Sequence, residues 1–220
     1  MNHDDVKQSR SISRLIDHAQ TRIREWIAPL DRVAALVPKC DHLLELGCGQ
    51  GILIKKLACR IPTITGVDYD ERKCRMAKEQ LCRDLPGITI LQGDIMTFLN
   101  TVASDSIPCI VLADTLASNH PEDQQRILTE CFRILARQGT LVLKIMDTMP
   151  WWKFKFSRMV SLLVYQVLRL SISSNQQLFY QSSTFYRDKM AEFGLSATIV
   201  PLHRQPFNPF SHTVILGVKE

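Results

Sequence analysis

The apolar residues of this chain are grouped in short runs that alternate with longer stretches of helical spacing. Five runs, at residues 43–46, 64–68, 88–91, 108–113 and 140–146, are predicted strands, and all of them except 64–68 are mainly apolar. Continuously apolar strands separated by amphipathic helices are typical of a parallel sheet with helices on both faces. The pattern therefore predicts an α/β fold over residues 41–147.

Helical spacing of apolar positions also precedes and follows these runs. Residues 12–36 are predicted to form two helices separated by Pro29, and a later helix is predicted to begin at Pro121 and to end at Gly139. Residues 151–170 and 183–193 are predicted helices. Residues 196–202 and 212–218 are consecutive predicted strands, which indicates an antiparallel hairpin and hence a mixed sheet.

Composition favours a single globular domain. The chain has 220 residues, 45% of them hydrophobic and 22% charged, which excludes collagenous and disordered proteins. No linker separates a second domain. We divide residues 1–220 into N-terminal helices (1–40), a core (41–147), an insert (148–195) and a closing hairpin (196–220).

Cysteine usage and the chain's apolar runs predict a cytoplasmic protein. The seven cysteines are odd in number and include no C-x-x-C pair, which is typical of reduced thiols and gives no metal-binding motif. The first residues are polar, with no signal-peptide core. The longest nearly uninterrupted apolar run, residues 159–168, is about half as long as a membrane-spanning helix.

Three glycines, Gly47, Gly49 and Gly51, directly follow the first predicted strand and precede a predicted helix. A loop without β-carbons lets the backbone approach a ligand closely, and a helix N-terminus offers amide donors. A dinucleotide fold would need glycine at position 52, which is isoleucine, and no Lys-Ser/Thr pair of a Walker loop follows. The remaining pattern is an acidic residue, Glu45, before three alternate glycines.

With an acidic residue before three alternate glycines, residues 43–53 resemble the nucleotide-binding motif of class I S-adenosylmethionine-dependent methyltransferases. Residues 66–68, 92–95 and 110–116 resemble that family's later motifs in the same order, so the resemblance covers about residues 40–147. It implies a Rossmann-like, seven-stranded, mostly parallel sheet with a C-terminal antiparallel hairpin. It also implies an enzyme that uses S-adenosylmethionine.

The resemblance also implies a set of cofactor-binding residues. Asp68 would accept hydrogen bonds from the ribose hydroxyls, Asp94 would accept one from the adenine amine, and Tyr69 would pack on the adenine face. In the alternative interpretation, both aspartates are helix caps and Glu45 is a solvated strand end. The predicted set is Glu45, Gly47, Cys48, Gly49, Asp68, Tyr69, Asp94, Ile95 and Asp114.

The sequence leaves the catalytic residue unknown. The family often has a histidine pair where this chain has Ala117-Ser118, which argues against histidine-based catalysis carried over from the family. Lys144 is interpreted either as a surface residue or as a group aimed at the substrate. Candidate bases near the ends of the last core strands and in the closing hairpin are Asp114, His120, Lys144, Asp147, His203 and His212.

The segment after Pro150 carries the information on the methyl acceptor. From Thr148 to Arg187 there is no acidic residue, and the charges before Arg187 are all positive: Lys153, Lys155, Arg158 and Arg169. In the family, this insert commonly covers the acceptor. An apolar, basic cover would suit O-methylation of a hydrophobic, lipid-like, polyketide-like or carrier-bound molecule; it would equally suit contact with an anionic membrane. A core helix with a few solvated charges is the plainer interpretation.

Two further alternatives stay open: an RNA or protein methyltransferase, and a non-catalytic partner subunit that keeps the fold. Nucleic-acid binding is not expected, because the net charge of +5 is modest and no Lys/Arg-rich arm is present. The sequence does not indicate an oligomeric state.

Overall fold

The computed structural model describes residues 29–83, 85–168, 177–202 and 210–220. The first predicted N-terminal helix, Arg169 and His203 lie outside these residues. The second predicted N-terminal helix begins directly after Pro29, as expected.

One seven-stranded sheet organises the fold, with the order β3-β2-β1-β4-β5-β7-β6. Strands β1 to β5 run parallel, and β7 lies antiparallel between β5 and β6. This confirms the predicted Rossmann-like, mostly parallel sheet with a closing antiparallel pair. The strands are β1 His42–Leu46, β2 Thr63–Asp68, β3 Ile88–Gln92, β4 Ile107–Ala113, β5 Leu135–Met146, β6 Leu195–Pro201 and β7 His212–Lys219.

Helices cover both faces of the sheet. The helices are α1 Leu30–Leu36, α2 Ile52–Leu57, α3 Glu71–Ala77, which continues into a π-helical turn Lys78–Cys82, α4 Ile95–Leu99, α5 Pro121–Ile134, α6 Trp151–Leu168 and α7 Ser183–Glu192. Buried residues of α1, α2 and α3 pack in one core on one face. Residues of α4, α5 and α7 pack in a second core on the other face.

The boundary between α5 and β5 differs from the prediction. The helix ends at Ile134 instead of Gly139, and β5 begins at Leu135, which pairs with Ile107. The backbone amides of Asp105 and Ser106 donate to the carbonyls of Arg133 and Ile134 at 3.0 and 2.9 Å. The two residues before β4 therefore provide hydrogen-bond donors for the last carbonyl groups of α5. As a result, the helix ends and β5 begins earlier than the periodicity of the sequence indicates.

The strand order places a binding crevice between β1 and β4. The chain runs outward from β1 to β3 on one side and from β4 on the other, so the order reverses there. Ligands in open α/β sheets bind at this reversal, outside the carboxyl ends of the strands. The glycine loop after β1 and the ends of β2, β3 and β4 meet at this edge.

Candidate cofactor site

The glycine loop is held in shape by its own hydrogen bonds. The amides of Gly47 and Cys48 both donate to the carbonyl of Val67, at 2.7 and 3.1 Å, and Gly51 donates to Cys48 at 2.9 Å. The amide of Gly49 donates to Asp68 Oδ2 at 2.8 Å. These four amides are therefore committed within the protein, and the loop is pre-organised instead of presenting all of its donors to a ligand.

Gly47 is required where the loop meets the end of β4. Its φ is +76°, and a β-carbon there would lie 2.4 Å from Thr115 Oγ1. Thr115 in turn donates its hydroxyl proton to the carbonyl of Leu46 at 2.7 Å. Gly49 has a φ of +54°, and a β-carbon there would come only within 4.0 Å of one atom, so the loop is open on this side.

Asp68 links the loop to β2. It is buried, and its two carboxylate oxygens accept from the amides of Gly49 at 2.8 Å and Asp70 at 2.9 Å. Asp70, which accepts from the amide of Lys73, is the cap of α3, so the helix-cap interpretation of Asp68 is wrong. Each carboxylate oxygen can accept a second hydrogen bond, which leaves Asp68 capacity for hydroxyl donors.

Asp94 fits both interpretations that the sequence left open. Its Oδ1 atom accepts from the amide of Thr97 at 2.8 Å and caps α4. Asp94 also lines the same cavity as Asp68. The short helix therefore fixes the carboxylate at the cavity wall.

Glu45 and Cys48 lie beneath the loop. Glu45 is 3% exposed, which excludes a solvated strand end, and its Oε2 atom has no hydrogen-bond partner in the part of the chain that the structure describes. Burial and the negative charge of Asp68 raise the pKa of Glu45 to about 8. The Cys48 side chain packs in the core on the α2 side, and neither residue lines the cavity. Their part in cofactor binding stays a prediction.

A cavity of about 640 Å³ occupies the crevice. Such a volume is typical of small-molecule sites. Of the predicted site residues, the cavity is lined by Gly47, Gly49, Asp68, Tyr69, Asp94, Ile95 and Asp114. Residues that the sequence analysis did not select also line it, among them Lys73, Thr115, Asn119, Asp123, Ile127 and Leu178.

An ion pair lies at the wall of the cavity, where β4 and β5 end. Asp114 has a left-handed φ of 60°, and its carboxylate pairs with the ammonium group of Lys144. Lys144 is 1% exposed, so it is not a surface residue, whereas about half of the Asp114 side chain is exposed. The buried lysine thus holds a carboxylate that faces the cavity.

Among the candidate bases, Asp147 and the two histidines that the structure describes do not line the cavity. His120 occupies the cap position of α5 without a side-chain cap bond, and its ring packs on Phe179 at 5.0 Å. Asp147 is buried and accepts from the amides of Met149 and Ser183, both at 3.1 Å, so it ties two loops together. His212 is buried within β7. In the described ranges, no cluster of His, Cys, Asp or Glu could hold a metal ion.

The sheet order, the glycine loop and the two carboxylates at the ends of β2 and β3 define a nucleotide-binding α/β fold of the methyltransferase type. Residues 43–139 match a family model described as a methyltransferase domain. This match supports a class I S-adenosylmethionine-dependent methyltransferase domain over residues 43–139, where the sequence motifs predict it.

Curated proteins match this chain over part of its length. The carboxy-S-adenosyl-L-methionine synthase of Chromohalobacter salexigens is 33% identical over 115 residues, which are 50% of this chain and 41% of that protein. The dTDP-4-amino-2,3,4,6-tetradeoxy-D-glucose N,N-dimethyltransferase of Saccharopolyspora spinosa is 26% identical over 135 residues, 60% of this chain and 50% of that protein. The chain thus spans about half the length of the curated relatives it matches.

Solved structures show the same fold over nearly the whole chain. Magnesium protoporphyrin IX methyltransferase from Synechocystis PCC 6803, solved with bound SAH, aligns with a TM-score of 0.65 at 15% identity. The alignment covers 92% of this chain and 86% of that chain. At this identity the likeness concerns the fold alone.

The cavity fits S-adenosylmethionine, the cofactor of this family. The open backbone at Gly49 admits a close ligand, and Asp68 retains acceptor capacity for vicinal hydroxyls. Five carboxylates line the cavity against one lysine, and an acidic lining favours a cationic ligand such as a sulfonium. The charged lining residues are Asp68, Asp70, Asp94, Asp114, Asp123 and Lys73.

Proposed function

We propose that the protein methylates an oxygen atom of a hydrophobic small-molecule or lipid-like acceptor. S-adenosylmethionine, when bound, supplies a methyl group on a cationic sulfur. A hydroxyl acceptor forms the new C–O bond while the C–S bond breaks and its electron pair stays on sulfur. The hydroxyl proton must then reach a base, and much of the acceleration comes from positioning the reactants.

The proposal rests on Asp114 as the base that accepts the hydroxyl proton. Of the candidate bases that the structure describes, it alone lines the cavity. Its half-exposed carboxylate can accept a hydrogen bond from a hydroxyl and then its proton, because the pairing with Lys144 leaves lone pairs free. The buried Lys144 fixes this carboxylate at the cavity wall.

The rest of the wall favours an apolar acceptor. Met96, Ile127 and Leu178, which lie outside the predicted cofactor-binding set, contribute apolar side chains to the cavity. Leu178 belongs to the insert after β5, which supports the predicted role of that segment in covering the acceptor. Apolar walls with a few placed polar groups are typical of small-molecule sites.

The test compares wild-type protein with the double variant Asp114→Asn/Lys144→Met. Both charges are removed because Asp114→Asn alone would leave a buried ammonium unpaired, which costs about 3–5 kcal/mol. We expect the double variant to lose about 100-fold or more in kcat, measured with saturating S-adenosylmethionine so that any change in cofactor affinity does not enter the rate. Asp188→Asn, which removes an exposed carboxylate on α7 that pairs with Arg187, is the matched control.

Acceptors are compared by mass spectrometry with S-adenosylmethionine present. The panel contains hydroxyl-bearing acyl and aryl thioesters of pantetheine, tRNA and protein. Methylation of a hydroxyl acceptor that depends on Asp114 supports the proposal. Methylation of tRNA alone, with binding that weakens steeply as salt rises, would support the RNA alternative and contradict it.

A further inference from the structure

The exposed apolar side chains of the protein are concentrated at one place. Nine large hydrophobic side chains are exposed in the described parts of the chain, and six of them lie between residues 149 and 163. They are Met149, Trp151, Trp152, Phe156, Met159 and Leu163. Contiguous apolar patches of this kind mark interaction surfaces in proteins.

Helix geometry aligns these side chains. Trp152, Phe156, Met159 and Leu163 are spaced by four, three and four residues along α6, so they form a single stripe. We call these four residues the apolar stripe. Leu163 is 52% exposed and Met159 51%, so the stripe is open to solvent over at least three turns.

The other side of α6 is the one that packs on the domain. Ser157 is fully buried, and its Oγ atom accepts from the amide of Ser211 at 3.0 Å. The ring of Phe154 packs on Tyr180, with ring centroids 5.0 Å apart. Phe156 of the apolar stripe also packs on the buried Phe210, with ring centroids 6.0 Å apart, whereas the other three residues of the stripe are about half exposed. The helix is therefore anchored mainly through the face opposite the stripe.

Basic residues flank the apolar stripe. At 100° per residue, Lys155 and Lys153 lie about 70° and 90° from the centre of the stripe on opposite sides, and Arg158 lies further round the helix on the side of Lys155. The Lys155 ammonium group lies 4.8 Å from the ring centroid of Trp151, and that of Lys153 lies 5.4 Å from Trp152. No acidic residue occurs between positions 148 and 187 to offset these charges.

We propose that α6 docks on the surface of an anionic lipid bilayer, with the apolar stripe in the headgroup region and the three cations against the lipid phosphates. An amphipathic helix of aromatic and aliphatic residues with a basic border lies in the plane of the interface and enters it by about 5–10 Å. No helix in the described ranges is long and apolar enough to cross a membrane.

The charge of this surface favours an anionic bilayer over a second copy of the chain as its binding partner. A symmetric dimer through α6 would place Lys153, Lys155 and Arg158 against their own equivalents, because a two-fold interface joins the same surface of both subunits. An anionic bilayer instead attracts all three. Each basic residue near such a surface strengthens binding by about fivefold, so the three together contribute roughly 100-fold.

Docking would bring the cavity close to the bilayer. Tyr180, which packs on α6, is two residues from Leu178 in the cavity wall. The membrane contact itself does not depend on the proposed methyl transfer, because it is measured without cofactor or acceptor. Failure of one proposal therefore leaves the other standing.

The test is co-sedimentation of the full chain with vesicles of phosphatidylcholine, with and without phosphatidylglycerol. We expect binding to the anionic vesicles, about 100-fold weaker binding by Lys153→Gln/Lys155→Gln/Arg158→Gln, and little effect of Lys55→Gln/Arg75→Gln/Lys78→Gln. The second triple variant removes the same charge from exposed positions on α2 and around α3. Equal loss in both variants, or no binding by the wild type, overturns the proposal.

Tryptophan fluorescence locates the contact. Two of the three tryptophans, Trp151 and Trp152, lie on α6, and Trp26→Phe removes the third. We expect a blue shift and quenching by brominated lipid, and a loss of binding in Trp152→Ser/Met159→Ser/Leu163→Ser with an unchanged melting temperature. Binding without quenching, or a dimer in light scattering that this apolar variant dissociates, would contradict membrane docking.

Discussion

Glu45→Gln is expected to stabilise the protein in the absence of cofactor, although it removes a carboxylate from beneath the glycine loop. Glu45 is almost completely buried, and its Oε2 atom has no hydrogen-bond partner among the residues described. Burial and the charge of Asp68 raise the pKa of this carboxyl group from 4.5 to about 8. The cost of keeping an ionisable group here is therefore large and depends on pH.

The two pKa values set the size and the sign of the effect. Between pH 4.5 and about 8 the native state holds a proton that the unfolded chain has released, so stability falls as pH rises through this window. Each pKa unit corresponds to about 1.4 kcal/mol, so the penalty reaches about 3 kcal/mol at pH 7. Glutamine keeps the shape without the charge, and the melting temperature should rise by roughly 6–12 °C at this chain length.

Urea unfolding at pH 5 and at pH 7.5 measures this difference. The variant should be clearly more stable than the wild type at pH 7.5 and nearly equal to it at pH 5. Glu79→Gln, at an exposed position, is the control and should change little at either pH. A Glu45→Gln variant whose gain is the same at both pH values, or which is less stable at pH 7.5, would refute the reasoning.

Two further substitutions test the packing around the site. Gly47→Ala should lose about 1–3 kcal/mol in urea unfolding because a left-handed φ and a β-carbon 2.4 Å from Thr115 are both unfavourable, whereas Gly93→Ala, with open space at its β-carbon, should be tolerated. Tyr186→Phe should lose about 1 kcal/mol in the same assay, since the buried hydroxyl donates to Gln124 Oε1 at 2.8 Å; no loss would show that this bond contributes nothing.

The sequence predicts the strands of the core well because their signal is local. Strands β1, β4 and β5, which lie inside the sheet, are recognised from nearly continuous apolar runs, since a strand buried on both faces needs apolar side chains at most positions. The order of the strands does not follow from this periodicity. The resemblance to the methyltransferases, which the glycine loop and the aspartates at the ends of β2 and β3 carry, implied only a seven-stranded, mostly parallel sheet with an antiparallel hairpin at its C-terminal end.

Features that depend on distant parts of the chain could not be predicted. The helix α5 ends early because amides at Asp105 and Ser106 take up its last carbonyls, about 30 residues away along the chain. The burial of Lys144 depends on its pairing with Asp114, and the place of Leu178 in the cavity depends on the path of the insert. The periodicity of any one segment contains none of these contacts.

Calorimetric titration with S-adenosylhomocysteine tests most directly whether this crevice holds the nucleoside cofactor. The wild type should bind with one ligand per chain, and Asp68→Ala should bind roughly 30- to 150-fold more weakly, which corresponds to about 2–3 kcal/mol. Asp31→Ala, at an exposed carboxylate paired with Lys56, should bind like the wild type. Equal affinity in Asp68→Ala and wild type, with both folded by thermal unfolding, would contradict the assignment of the site.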